Sequence, residues 1–119
     1  MFLSLNHQKL DIYGTSRLFV RECYRLTNCL PAEERYGMIS QIRRAALSVH
    51  LNIAEGASRK SNAERKRYYE IARGSVIEID AALDVAQDLS YLQNIQTDKL
   101  GTLMITYFLL LSGMITTEK

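Results

Sequence analysis

Between residues 37 and 56 the apolar positions Ile39, Ile42, Ala46, Val49 and Ile53 recur at three- and four-residue steps. That spacing gathers them on one face of an α-helix. A second stripe runs beside the first: Gln41, Ala45, Ser48, Asn52 and Glu55, small or hydrogen-bonding at every position. A neighbouring backbone can approach such a stripe closely and find polar anchors on it. This helix is therefore expected to be the inner member of an all-helical bundle.

The same periodicity predicts three more helices. A first, over residues 6–28, carries Leu10, Tyr13, Leu18, Val20, Cys23, Leu26 and Leu30 as its apolar stripe. Opposite them stand Arg17, Arg21 and Arg25 at four-residue steps, where like charges repel by roughly 0.2–0.5 kcal/mol per pair; Glu22 is placed to relieve Arg25. Pro31 ends this helix and suits the first turn of the second, in which Glu33 and Glu34 face the favourable end of the helix dipole. Gly56 is expected to close the second helix in the left-handed conformation.

Ser61-Asn62-Ala63-Glu64 reads as a capping box opening helix 3. The inner side of that helix is expected to be Tyr68, Ile71, Ala72, Ser75, Ile79, Leu83, Ala86 and Leu89. Gly74 costs it about 1 kcal/mol of propensity, which close contact with the small stripe of helix 2 would offset. Asp80, Asp84 and Asp88 form an acidic outer row. After a turn over residues 92–96, Thr97 is placed to cap helix 4, whose stripe is Leu100, Leu103, Met104, Tyr107, Leu111 and Met114. Phe108, Leu109 and Leu110 make its middle apolar nearly all round. A helix of that kind is buried on several faces, so a further partner is expected, most simply another subunit. The predicted fold is all-α, an antiparallel up-and-down four-helix bundle forming one domain over residues 1–119.

Composition agrees with a folded domain. With 119 residues, 47% apolar and 24% charged, the chain suits one globular unit and not a disordered segment. Such a unit buries about two-thirds of its unfolded surface, so it needs no disulfide staple. Cys23 and Cys29, six positions apart on one helix, would lie roughly 9 Å apart, too far for a disulfide. Both are expected to be reduced and semi-buried, in a cytoplasmic protein. The first residues lack a basic flank and a long apolar run, so no signal peptide is expected. The greasy stretch at residues 103–111 falls short of the ~20 residues of a membrane span. Charge is uneven: residues 35–75 carry nine basic groups against three acidic, and residues 76–119 two against six. A chain polarised in this way can meet a polyanion with one side, or another copy of itself with both.

Ser40-Gln41-Ile42-Arg43-Arg44-Ala45-Ala46, then Ser48, then Asn52-Ile53-Ala54-Glu55-Gly56, resembles the signature of the bacterial four-helix-bundle proteins encoded in intervening sequences of large-subunit ribosomal RNA genes. Pro31, Glu34, Tyr36 and Gly37 match its lead-in. Ile71-Ala72-Arg73-Gly74-Ser75 with Glu78 resembles its second block. The resemblance spans nearly the whole chain and implies an antiparallel four-helix bundle with no enzymatic activity. It also implies similarity to the accessory proteins of diversity-generating retroelements, five-membered barrels that bind nucleic acid and a reverse transcriptase. By that similarity a homopentamer is expected, with RNA or DNA and a protein such as a reverse transcriptase as partners. Those accessory proteins are more basic than this chain, whose third helix is acidic outside.

Four groups of residues carry possible chemistry. Gln41, Ser48, Asn52 and Glu55, with Ser75 and Glu78 across from them, could offer Glu55 and Glu78 as an acid–base pair. No nucleophile or metal cluster accompanies them, and a buried network fixing helices 2 and 3 is the preferred reading. His7 and His50 lack metal-ligand spacing, and the row Asp80, Asp84 and Asp88 lacks a converging loop, so neither a metal nor a cofactor is expected. The basic cluster Arg59, Lys60, Arg65, Lys66 and Arg67 puts three cations in the first turns of helix 3, against the helix dipole. Helix N-termini also offer N–H groups to phosphate, and Tyr68 and Tyr69 follow. The cluster is read as a phosphate or RNA site, or as a subunit-facing basic patch. Finally, Arg17, Arg21 and Arg25 share their spacing with Asp80, Asp84 and Asp88. Helices 1 and 3 are diagonal in an up-and-down bundle, so the two rows are expected to meet across a subunit boundary. The sequence supports a non-enzymatic oligomeric scaffold that binds nucleic acid. The alternative is a protein-binding adaptor whose charge asymmetry serves self-assembly and partner docking.

Overall fold

Helix α2, Met38–Ala57, buries Ile42, Ala45, Ala46, Val49, Ile53 and Gly56, the side that the three- and four-residue spacing assigns to the core. In the computed structural model, which describes Leu3 and residues 11–118, three more helices surround it: α1 Asp11–Asn28, α3 Asn62–Asp88 and α4 Asp98–Thr117. No strand occurs among the described residues. Each helix packs on its sequence neighbours, and α4 closes back on α1. The backbones of the diagonal pairs α1–α3 and α2–α4 do not come close among the described residues. This is the expected four-helix bundle, 44 × 30 × 24 Å in extent.

Cys23, Leu26 and Leu30 are buried as the α1 stripe predicts, but the first half of the helix turns a different face inward than Leu18 and Val20 suggest. Ile12, Ser16, Phe19, Cys23 and Leu26 are buried, with Leu30 just beyond the helix, while Leu18 and Val20 are only half-buried. The buried row is continuous only if a serine is admitted to it. Ser16 can be buried because His50 Nδ1 on α2 lies 2.7 Å from its Oγ. Phe19 meets Tyr107 of α4 with ring centroids 5.4 Å apart. Burial and the neighbouring Glu22 carboxylate push the Cys23 thiol up to about 12, whereas Cys29 is exposed; both are free, and neither is semi-buried. The predicted start at residue 6, His7, Leu10 and the Tyr13 side chain lie outside the described residues.

The second helix begins later than Pro31 suggests. Pro31 caps a short 3-10 helix, Ala32–Glu34, and α2 starts only at Met38. Glu34 bridges the gap. Its Oε1 accepts the Met38 N–H at 3.3 Å and its Oε2 accepts the Tyr91 hydroxyl at 2.9 Å. One carboxylate thus satisfies an orphan donor at the positive end of α2 and tethers the α3–α4 connection.

Gly56 is not a left-handed cap. It lies inside α2, buried, and no described glycine has positive φ. Its role is close approach: a Cβ there would sit 2.7 Å from Tyr69 Cε1 and 3.1 Å from Tyr68 Cβ. Helix α3 opens as the capping box requires, with Ser61 Oγ accepting the Glu64 N–H at 3.1 Å. It buries Tyr69, Ala72, Ser75, Val76, Ile79 and Ala86. Tyr69, not Tyr68, enters the core, and Ile71 and Leu89 are exposed. Gly74 faces open space, so of the Gly74-Ser75 pair only Ser75 reaches α2 and no close packing in this chain offsets the glycine.

Thr97 makes no side-chain cap; its carbonyl accepts the Gly101 N–H at 2.9 Å. Helix α4 buries Leu100, Met104, Tyr107, Leu111 and Ile115. It leaves Ile105, Phe108, Leu109 and Leu110 exposed, so one copy covers only one of its apolar faces. Although residues 103–111 alone are too short, the whole 20-residue helix is long and apolar enough to cross a membrane by length and composition. Its inner stripe nonetheless packs in the bundle core, the arrangement of a bundle helix.

Candidate nucleic-acid interface

The basic cluster lies where α2 turns into α3, and the structure divides it in two. Arg59 is held by its own surroundings. Its Nη2 donates to Glu55 Oε2 at 2.8 Å and to the Tyr68 hydroxyl at 3.1 Å, with the guanidinium 5.0 Å from the Tyr68 ring centroid. Tyr68 and Glu55 together hold the Arg59 guanidinium more firmly protonated than usual. Arg65 is a latch. Its Nη1 donates to the carbonyls of Arg59 and Lys60, each at 2.8 Å. Its Nε donates to Glu118 Oε1 at 2.9 Å, and its Nη2 to Asn62 Oδ1. These charge-assisted bonds fix the loop after α2 and tie the residue that ends α4 to the start of α3.

Lys60, Lys66 and Arg67 are exposed, and their charged groups have no ion pair or hydrogen bond among the described residues. Three cations therefore remain unneutralised beside the N-terminus of α3. Arg59 and Arg65, expected in the same patch, are committed to structure. Arg65→Ala should leave helix content unchanged by circular dichroism. Tryptic cleavage at Arg59 and Lys60 should become several-fold faster, because the loop carbonyls lose their donor. Unchanged cleavage would show that the loop holds itself.

The expected polar network is smaller than six residues. Ser75 Oγ donates to Ser48 Oγ at 3.0 Å. Asn52 Nδ2 donates to the Ser48 carbonyl at 2.8 Å and to its Oγ at 3.0 Å. Gln41, Glu55 and Glu78 are exposed, and Glu55 is engaged with Arg59, so no acid–base pair forms from Glu55 and Glu78. Among the described residues no group of three or more His, Cys, Asp and Glu side chains is placed to hold a metal.

Both charge rows are exposed: Arg17, Arg21 and Arg25 on α1, and Asp80, Asp84 and Asp88 on α3. Their helices are diagonal and the two backbones do not come close, so the rows do not meet within one copy. Arg25 lies 3.5 Å from the buried Glu22 carboxylate, which Lys99 of α4 also approaches to 3.2 Å. Sequence reasoning missed this α1–α4 link, and it missed Glu118, because neither partner's position is legible from helical spacing.

Several of the residues that carried the resemblance line helix junctions, although Tyr36, Gln41, Arg44 and Glu78 are exposed. Ser48, Asn52 and Gly56 face α3. Arg43 joins α2 to α1 through Thr27 Oγ1 at 2.8 Å and Asn28 Oδ1 at 2.7 Å, its guanidinium 4.7 Å from the Tyr24 ring centroid. The sequence profile of the 23S rRNA-intervening sequence protein family matches residues 8–113. The chain belongs to that family. No curated protein matches it. In this family member the matched region takes in α1 to α3, the basic turn and all but the last turn of α4, and so leaves out Glu118.

Proposed function

We propose that this family member is a non-enzymatic, oligomeric helical scaffold that binds RNA, or another nucleic acid, through the α2–α3 turn. The observation that carries the reading is the unneutralised trio Lys60, Lys66 and Arg67. Cations at a helix N-terminus oppose its dipole, so they serve the isolated fold poorly and a phosphate backbone well. From the resemblance drawn above between its motifs and retroelement accessory proteins, a homopentamer and a reverse transcriptase as a protein partner are proposed with it. The scaffold is proposed to work in the cytoplasm without a cofactor and away from membranes. A second reading, a protein-binding adaptor, draws on the exposed apolar face of α4.

The test is RNA retention as a function of salt. Replacing Lys60, Lys66 and Arg67 together by Glu should reduce binding at least tenfold. It should also flatten the log–log salt slope by about 2–3, since each phosphate contact contributes roughly 0.7–0.9. Sedimentation should show an unchanged assembly mass. Wild-type protein that retains neither RNA nor DNA at low salt would overturn the nucleic-acid reading and leave the adaptor.

A further inference from the structure

The α3/α4 side of the bundle holds a groove of about 300 Å³. Its exposed apolar lining is Ile77, Ile105, Phe108 and Leu109. Ile105 and Leu109 are 65% and 63% exposed, more than a subunit with a completed core needs to show. Asp80 forms part of the same wall, and an adjoining depression continues past Asp80 to Asp84; Asp88 is one turn further. The surface is an apolar floor with an acidic edge.

The opposite corner of the bundle is its complement. On α1, Arg21, Arg25, Val20, Tyr24 and Asn28 line a shallow depression, and Arg17 extends the basic row by one turn. Both rows advance by four residues, about 6 Å per step along a helix. We infer that the two surfaces are halves of one contact: α1 of one copy docks into the α3/α4 groove of the next. This deepens the assembly part of the proposed function, on which it rests, by naming the faces that meet.

The apolar side chains supply the strength and the charges the register, because exposed ion pairs contribute little by themselves. The two halves are different surfaces of one molecule, so the contact pairs unlike patches and not one patch with itself. The interface is heterologous, and copies add head to tail until the rotation closes a ring. The acidic edge also sets this groove apart from a lipid-binding face, since anionic headgroups would be repelled there.

The experiment is sedimentation equilibrium of the full chain and of Arg21→Glu and Ile105→Glu, with folding checked by circular dichroism. Each variant should weaken association at least tenfold. Arg21→Glu keeps an intact groove and Ile105→Glu keeps an intact α1 face, so an equimolar mixture should give a heterodimer and stop there. The double variant Arg21→Asp/Asp84→Arg should recover part of the lost association. If Ile105→Glu fails to fold, Arg21→Glu and the double variant decide alone. A groove-to-groove contact predicts that Arg21→Glu assembles like wild type, which would overturn the pairing of faces while leaving assembly standing. A monomeric wild type would overturn both. A wild type that floats with neutral liposomes in place of self-associating would assign the groove to lipid and overturn the inference. None of these readouts depends on RNA, which the Lys60, Lys66 and Arg67 replacement tests separately.

Discussion

Phe19→Ala should lower the free energy of unfolding by about 3–5 kcal/mol, the range for deleting a fully buried aromatic ring. Phe19 is completely inaccessible to solvent, and its ring lies against that of Tyr107. Such a pair adds roughly 0.5–1.5 kcal/mol beyond the area it buries. Among the described residues the α1–α4 seam is the thinnest of the four adjacent helix contacts. Urea unfolding followed by circular dichroism measures the loss, with helix content preserved well below the new midpoint. A loss under 1 kcal/mol would mean that α1 does not present this face to the core.

Gly56→Ala and Gly74→Ala should move stability in opposite directions. Both glycines lie inside helices, where alanine is intrinsically better by about 1 kcal/mol. At Gly74 nothing stands within reach of a new methyl group, and the variant should gain roughly 0.5–1 kcal/mol. At Gly56 the methyl would be driven 2.7 Å from the Tyr69 ring, which is buried. Overpacking of this kind costs about 1–3 kcal/mol, enough to cancel the propensity gain and leave a net loss. The displaced pair Tyr68 and Tyr69 borders the Arg59 and Arg65 anchors, so the Gly56 variant should also loosen the basic turn. Equal stabilisation by both alanines, read from paired urea midpoints, would rule out the close approach.

Helical spacing made the apolar face of α2 legible because its stripe is clean, although not the helix start or the role of Gly56. It misplaced the inward face of the first half of α1, where Leu18 and Val20 outrank a serine on any hydrophobic scale. Ser16 is buried because a histidine on another helix satisfies it, and such a partner is invisible to local pattern. Tyr68 and Tyr69 are adjacent and chemically alike, so only the glycine opposite decides which enters the core. The basic cluster was legible as a cluster. Its division into two anchored arginines and three free cations was not, since the anchors include loop carbonyls and Glu118, 53 positions from Arg65. The polar stripe was read one helical turn too long at each end: Gln41 and Glu55 share the spacing of Ser48 and Asn52 but are exposed, and Glu55 is engaged by Arg59.

Opposite charges fixed at opposite corners give each molecule a built-in direction. In the contact inferred above, two copies drifting together would be turned by the arginine and aspartate rows before any apolar atoms touch, over a reach of about 8 Å at physiological ionic strength. Wrongly oriented encounters would bring like charge to like charge and part again. The rate of productive meeting, more than the lifetime of the finished contact, is what those six side chains would then govern.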